Sequence, residues 1–183
     1  ELYDNLSMTY PNALKCEWDN DGIMCASNLN SKVKNVLIVL DVTMDTINYA
    51  IENGFDTIIS HHPLVFRSQK SLMPLNYTQN KLIKLIKNDI NVMSFHTRLD
   101  ASNPGVNDVL ANLLELENVI EDSMDKIGRI GTYSFEMTLC DFALKVKNAL
   151  GCPFVLYNGN KTVKKVYVVG GDGKDLIENA IQC

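Results

Sequence analysis

A chain of 183 residues with 46% hydrophobic and 21% charged content is long enough to bury a core, as one large domain or two small ones. Its 22 acidic against 17 basic residues give a net charge of -5, which argues against a general nucleic-acid or anionic-membrane surface. No apolar run approaches the roughly 18–20 residues that span a bilayer, and no charged-then-apolar leader is visible. The five cysteines, Cys16, Cys25, Cys140, Cys152 and Cys183, form no C-x-x-C pair, which weakens the zinc-ribbon and thioredoxin-like readings. An odd, dispersed set of this kind fits reduced thiols and a cytoplasmic protein.

The first ordered segment is "VKNVLIVLD". Its run from Val36 to Leu40 is continuous rather than alternating, which predicts a strand covered on both faces, as in a parallel sheet. "TMDTINYAIENG" follows, with Met44, Ile47, Ala50 and Ile51 at helical spacing and Gly54 as a stop. "FDTIIS" predicts the next strand, residues 67–77 a polar loop, "NKLIKLIKND" a helix and "INVMSF" a third strand. A further helix starts near Pro104 and runs through "GVNDVLANLLEL". Alternation of strand and helix defines an α/β chain with a mostly parallel sheet.

The acidic stretch "ENVIEDSMD" reads as a surface connection. It sets the expected division: residues 1–122 form a first α/β unit carrying the histidine motifs, and residues 123–183 a second. In the second unit Thr138 and Asp141 resemble a capping box, and Gly151 would end that helix. "PFVLYNGN" and "KVYVVGG" read as strands. The "GGDG" turn invites a phosphate reading. It lacks a full P-loop, however, and has Asp172 and Asp175 beside it, so a tight strand-to-helix turn is the preferred reading. The chain ends on a helix where parallel units return into another strand, so the expectation is that further C-terminal residues exist.

The three histidines carry the chemistry. In open α/β sheets, functional residues collect beyond the carboxyl ends of the strands. His61 and His62 follow one predicted strand, and His96 and Asp100 follow another. Two segments thus deliver imidazoles and a carboxylate to one edge of the sheet. Neutral imidazoles suit zinc, iron, nickel or cobalt. Neighbours on a strand point to opposite faces, so His61 and His62 serve two ions, or one ion if the backbone turns there. The bland alternative is a set of hydrogen-bonded strand-end histidines. By the same token, the lone Trp18 reads more readily as core or interface than as part of a site.

The stretches "EWDNDGIMC", "VLIVLDVT", "GFDTIISHHPLVF", "HTRLDASNPGVNDVLANLLEL" and "KVYVVGGDG" resemble, in this order, the Nif-three-like family, also called type-two GTP cyclohydrolase I. The resemblance implies two related α/β units, a cytoplasmic homo-hexameric ring and a pair of divalent metals inside it. Carried over, it gives His61 to one ion and His62 with Asp100 to the other. His96 stands beside them in an acid-base, substrate-contacting or orienting role. The family's remaining His and Glu, in an H-x-x-x-E segment, have no counterpart before Cys183. This form of the chain is therefore expected to hold metal poorly.

The activity implied is a metal-dependent hydrolysis, most specifically opening of the GTP purine ring with release of formate. The alternative is a non-enzymatic metal-binding ring acting as regulator, metal chaperone or interaction scaffold. No membrane partner is expected. The basic runs "KLIKLIK" and "KTVKK" fit a solvated helix face and a turn rather than a nucleic-acid surface.

Overall fold

The computed structural model describes residues 1–183, which divide into two compact units, Glu1–Leu99 and Asp100–Cys183. The division lies earlier than the sequence reading of 122/123. The reason is visible in the pairing: residues 117–121 form a strand bonded to 129–137, so the acidic stretch read as a connection belongs to a sheet.

The first unit opens with helix α1 (Leu2–Thr9) and strand β1 (Gly22–Cys25), neither of which stood out in the sequence. Then come β2 (Val36–Val39), α2 (Met44–Glu52), β3 (Thr57–Ser60), α3 (Tyr77–Lys87) and β4 (Asn91–Ser94). Helix α4 (Thr97–Ala101) crosses the boundary between the units. The sheet order is β1-β4-β3-β2. Strands β2, β3 and β4 are parallel, and β1 joins antiparallel to β4 with Gly22 opposite Ser94. Right-handed β–α–β crossovers are the expected route between such strands.

The crossover helices start where side chains can cap them. Thr43 accepts from the Thr46 amide, and Asn76 from the Gln79 amide, each satisfying a main-chain donor of the first turn. Ile47 and Ala50 of α2 and Leu82 and Leu85 of α3 then pack on Ile58 and Val92. Burying each large aliphatic side chain in this layer contributes about 1.5–3 kcal/mol. The opposite face of β2 is bare, with Ile38 78% exposed. The strand is therefore covered on one face, not two, because α2 and α3 both contribute to the same core layer.

In the second unit α5 (Val106–Leu113), β5 (Glu117–Glu121), β6 (Arg129–Met137), α6 (Leu139–Leu150), β7 (Val163–Val168) and α7 (Ile177–Gln182) follow in order. Its sheet, β5-β6-β7, is antiparallel throughout. The mostly parallel character of the fold thus resides in the first unit. Thr138 caps α6 by accepting from the Asp141 amide, and Gly151 ends it at φ 61°, where a side chain would be strained. "PFVLYNGN" forms no strand; β6 finds its second partner in 163–168 instead. The "GGDG" segment is a tight turn into a short 3₁₀ helix, with the Lys174 ammonium paired to Asp172. No helix is long and apolar enough to cross a membrane.

Candidate metal centre

Strand β3 runs out at Ser60, and the next two residues extend the parallel ladder: the His61 and His62 amides donate to the carbonyls of Val39 and Leu40. There the chain bends. The Ser60 hydroxyl lies 2.8 Å from the His62 carbonyl and 2.8 Å from the Ser94 hydroxyl at the same level of β4. The bend overrides the strand alternation that would splay adjacent side chains. The His61 and His62 rings stand 5.1 Å apart, and His96 lies 5.2 Å from the first and 5.7 Å from the second. Donor nitrogens of all three lie within 4.8 Å of one another.

Each ring is oriented through Nδ1. That of His61 faces the Phe95 carbonyl at 3.1 Å, that of His62 the Asp41 carboxylate at 2.8 Å, and that of His96 the Asp19 carboxylate at 2.9 Å. A carbonyl and two carboxylates only accept, so each Nδ1 carries a hydrogen and donates it to its partner. This is the arrangement in which proteins present imidazole to a metal, with an acceptor behind the ring fixing tautomer and direction. Burial, with repulsion from His96 and His62 added, pushes the His61 pKa below the ordinary imidazole value and keeps that ring neutral. Imidazole nitrogen donors fit zinc, iron, nickel or cobalt better than magnesium or calcium.

The ring of His96 is held by the loop within "EWDNDGIMC", whose aspartates have no assigned role in the sequence reading. Asp19 is buried, and its Oδ2 accepts from the Thr97 hydroxyl at 2.7 Å and the Thr97 amide at 3.2 Å. Burial alone would raise its pKa, but the bonds from His96 and Thr97 outweigh it and leave the carboxyl below its usual range. Two residues on, Asp21 accepts from the His96 amide at 2.9 Å and from the buried Arg98 guanidinium. Gly22 makes this approach possible: at φ 121° an added Cβ would meet the Tyr3 hydroxyl at 3.1 Å. Trp18, at the head of the same loop, is 65% exposed and turns its edge to His96 at 6.2 Å. It is not a core residue.

The structure thus brings His61, His62 and His96 together. Asp100, the fourth expected residue, lies in α4, three residues beyond Thr97. Asp41, Asp19 and Asp21 were missed. For Asp41 a signal existed, because it follows β2 just as the histidines follow β3 and β4.

Fold and site together define an α/β protein whose parallel strands present a trihistidine cluster suited to a divalent metal. The model of the Duf34/NIF3 (NGG1p interacting factor 3) family matches residues 1–183, and the chain belongs to that family. It is 35% identical over 178 residues to a Clostridium perfringens protein named GTP cyclohydrolase 1 type 2 homolog, covering 93% of this chain and 68% of that one. A Clostridium acetobutylicum protein of the same name is 34% identical over 179 residues, covering 93% and 66%. Among solved structures, Staphylococcus aureus SA1388 superposes with a TM-score of 0.87 at 29% identity, over 99% of this chain and 74% of that one. Reduced HcgD from Methanocaldococcus jannaschii gives 0.84 at 28% identity, over 99% and 73%.

Proposed function

We propose that the chain is part of a metal-dependent hydrolase acting on a purine nucleotide, with opening of the GTP ring and release of formate as the specific reaction. The reading is supported by the relatives' names and above all by one observation. Three imidazoles converge within 4.8 Å, each backed by an acceptor on Nδ1. His61 and His62 would hold divalent metal, joined by Asp100 as the family resemblance implies. A bound ion of this kind supplies Lewis acidity and lowers the pKa of water to about 7.

The chain's own residues then divide the remaining work. His96 stands beside the ion rather than on it and is the proton carrier: Asp19 holds its Nδ1–H at 2.9 Å, so Nε2 takes up a proton and the adjacent carboxylate stabilises the imidazolium. The same logic operates in hydrolytic Asp–His pairs. Asp19 stays ionised in that role because Thr97 donates to its second oxygen. Asp41 does for His62 what the Phe95 carbonyl does for His61, fixing the direction of the ring. Assembly as a homo-hexameric ring in the cytoplasm, with two ions per chain, belongs to the same proposal.

The test is turnover by metal-loaded protein against GTP and a panel of phosphoesters, with formate and phosphate assayed separately. His62→Ala should abolish any activity found. Tight metal binding with no turnover, or turnover indifferent to His62→Ala, refutes the hydrolase reading and favours a metal-binding scaffold.

A further inference from the structure

Trp18 is the only tryptophan of the chain, and both it and Phe66 are more than half exposed, at 65% and 52%. Their rings meet edge to face with centroids 6.1 Å apart, and Trp18 reaches on to His96. A continuous aromatic wall therefore runs from the histidine cluster to Phe66. The Asn20 side-chain amide donates to the Val65 carbonyl, which ties the Trp18 loop to the Phe66 loop and holds the wall in place. Phe66 in turn lines a cavity of about 490 Å³ that begins at Pro63, the residue after His62, and includes Arg67. That volume suits a small-molecule ligand. Across the cavity stand Asn76, Tyr77 and Thr78, the N-cap and first turn of α3.

Stacking on exposed aromatic rings is how proteins hold heteroaromatic bases. Arg67 is exposed and lines the same cavity. A guanidinium is the side chain best suited to meet a carboxylate or phosphate. We infer that Trp18, Phe66 and Arg67 form the substrate-recognition subsite of the metal centre. A planar heteroaromatic ring stacks on one of these two rings and meets the other at its edge, with its anionic substituent on Arg67. The assignment rests on the hydrolase reading for what happens next, but binding at the subsite is measurable without turnover.

Because Trp18 is the sole tryptophan, its fluorescence reports on this wall alone. Titration of the 183-residue protein with GMP should give saturable quenching, guanosine should bind at least about tenfold more weakly, and inorganic phosphate alone should give no quenching. Phe66→Ala should weaken GMP and guanosine alike, by about tenfold or more. Arg67→Ala should bring GMP down to the affinity of guanosine and leave guanosine unchanged. Absence of saturable quenching by GMP, equal binding of GMP and guanosine, or unaltered affinities in both variants overturns the subsite. The two readings fail separately. GMP binding without turnover of any substrate removes the hydrolase and keeps the subsite. GTP turnover whose KM is indifferent to Trp18→Ala, Phe66→Ala and Arg67→Ala removes the subsite and keeps the hydrolase. The same indifference with an altered oligomeric state in Trp18→Ala also removes it, placing Trp18 at a contact between copies.

Discussion

Each unit buries one arginine almost completely, Arg98 at 0% and Arg129 at 1% exposure, and each closes it on an aspartate. The surroundings differ. Arg98 grips Asp21 and reaches the Tyr3 hydroxyl at 3.0 Å and the Tyr10 carbonyl at 3.3 Å, while Asp21 also receives the His96 amide. Arg129 grips Asp108 and spends its remaining donors on main-chain carbonyls, among them Ser102 at 2.7 Å, Lys126 at 2.9 Å and Ile127 at 3.0 Å. Burying such a pair costs much of what the attraction returns. What the first unit gains is placement, since the Asp21 loop also carries Asp19 and Trp18 to the ring of His96. What the second gains is architecture, with α5 and the turn before β6 tied to one planar group.

Removing the guanidinium should separate the two roles most sharply. Arg98→Ala and Arg129→Ala should each lose about 3–5 kcal/mol of folding stability in urea titrations, because each strands a carboxylate among protein groups. Arg98→Ala should lose more, since the Asp21 side chain has 0% exposure against 17% for Asp108. The NMR ring resonances of His96 in the folded fraction should shift in Arg98→Ala and stay in place in Arg129→Ala. Equal shifts would erase the distinction between a positioning and an architectural arginine.

A smaller effect sharpens the same contrast from the carboxylate side. Asp41 is more than half exposed and touches the site only through His62 Nδ1. Asp41→Asn should leave the urea midpoint unchanged and lower cobalt affinity by about 10–100-fold, the usual cost of losing a partner that orients a metal-binding imidazole. An unchanged affinity would show that the bend at Ser60 alone aims the ring.

How much of this was legible in the chain depends on sequence distance. The crossovers from β2 to β4 show as local apolar periodicity, and the Thr138–Asp141 cap and Gly151 stop are local chemistry. The histidines were found because strand ends are local too. Strand β1 was not, since its four residues acquire meaning only from β4, about seventy positions away. Asp19 and Asp21 look like any polar loop until His96 and Arg98, 77 residues on, close upon them. β5 was hidden by its own surface, for Glu117, Asn118, Ile120 and Glu121 are all exposed. A strand so wetted reads as linker. For Trp18 the sequence left core and interface open, and the fold excludes the core by leaving it 65% exposed.

The acid limb of stability should track the architectural arginine. Burial would raise the Asp108 pKa, but hydrogen bonds from the Arg129 guanidinium and the Gly105 amide outweigh it and hold the carboxyl below its ordinary value. A carboxyl depressed by folding stabilises the protein above its unfolded pKa of about 3.9, and that contribution is lost as pH falls through the lower folded value. Asp108→Asn should therefore cost about 1–2 kcal/mol at pH 7. The difference from wild type should shrink below about pH 4 and stay flat between about pH 6 and 8. Urea titrations across that range check the sign, and a gap that widens on acidification would contradict it.

The smallest effect marks where this reasoning stops applying. Lys145 and Glu115 form the second unit's other close pair between elements, and Glu115 is exposed. Their hydrogen bond lowers the Glu115 pKa and raises that of Lys145, much as Arg129 acts on Asp108. Water, however, solvates both groups when the contact is broken, and salt screens them when it is made. Glu115→Gln should therefore leave the urea midpoint where it was, at low and high salt alike. A measurable loss, largest at low salt, would mean that charge pairing rather than burial sets what these contacts contribute. The distinction between Arg98, Arg129 and the surface would then have to be drawn by geometry alone.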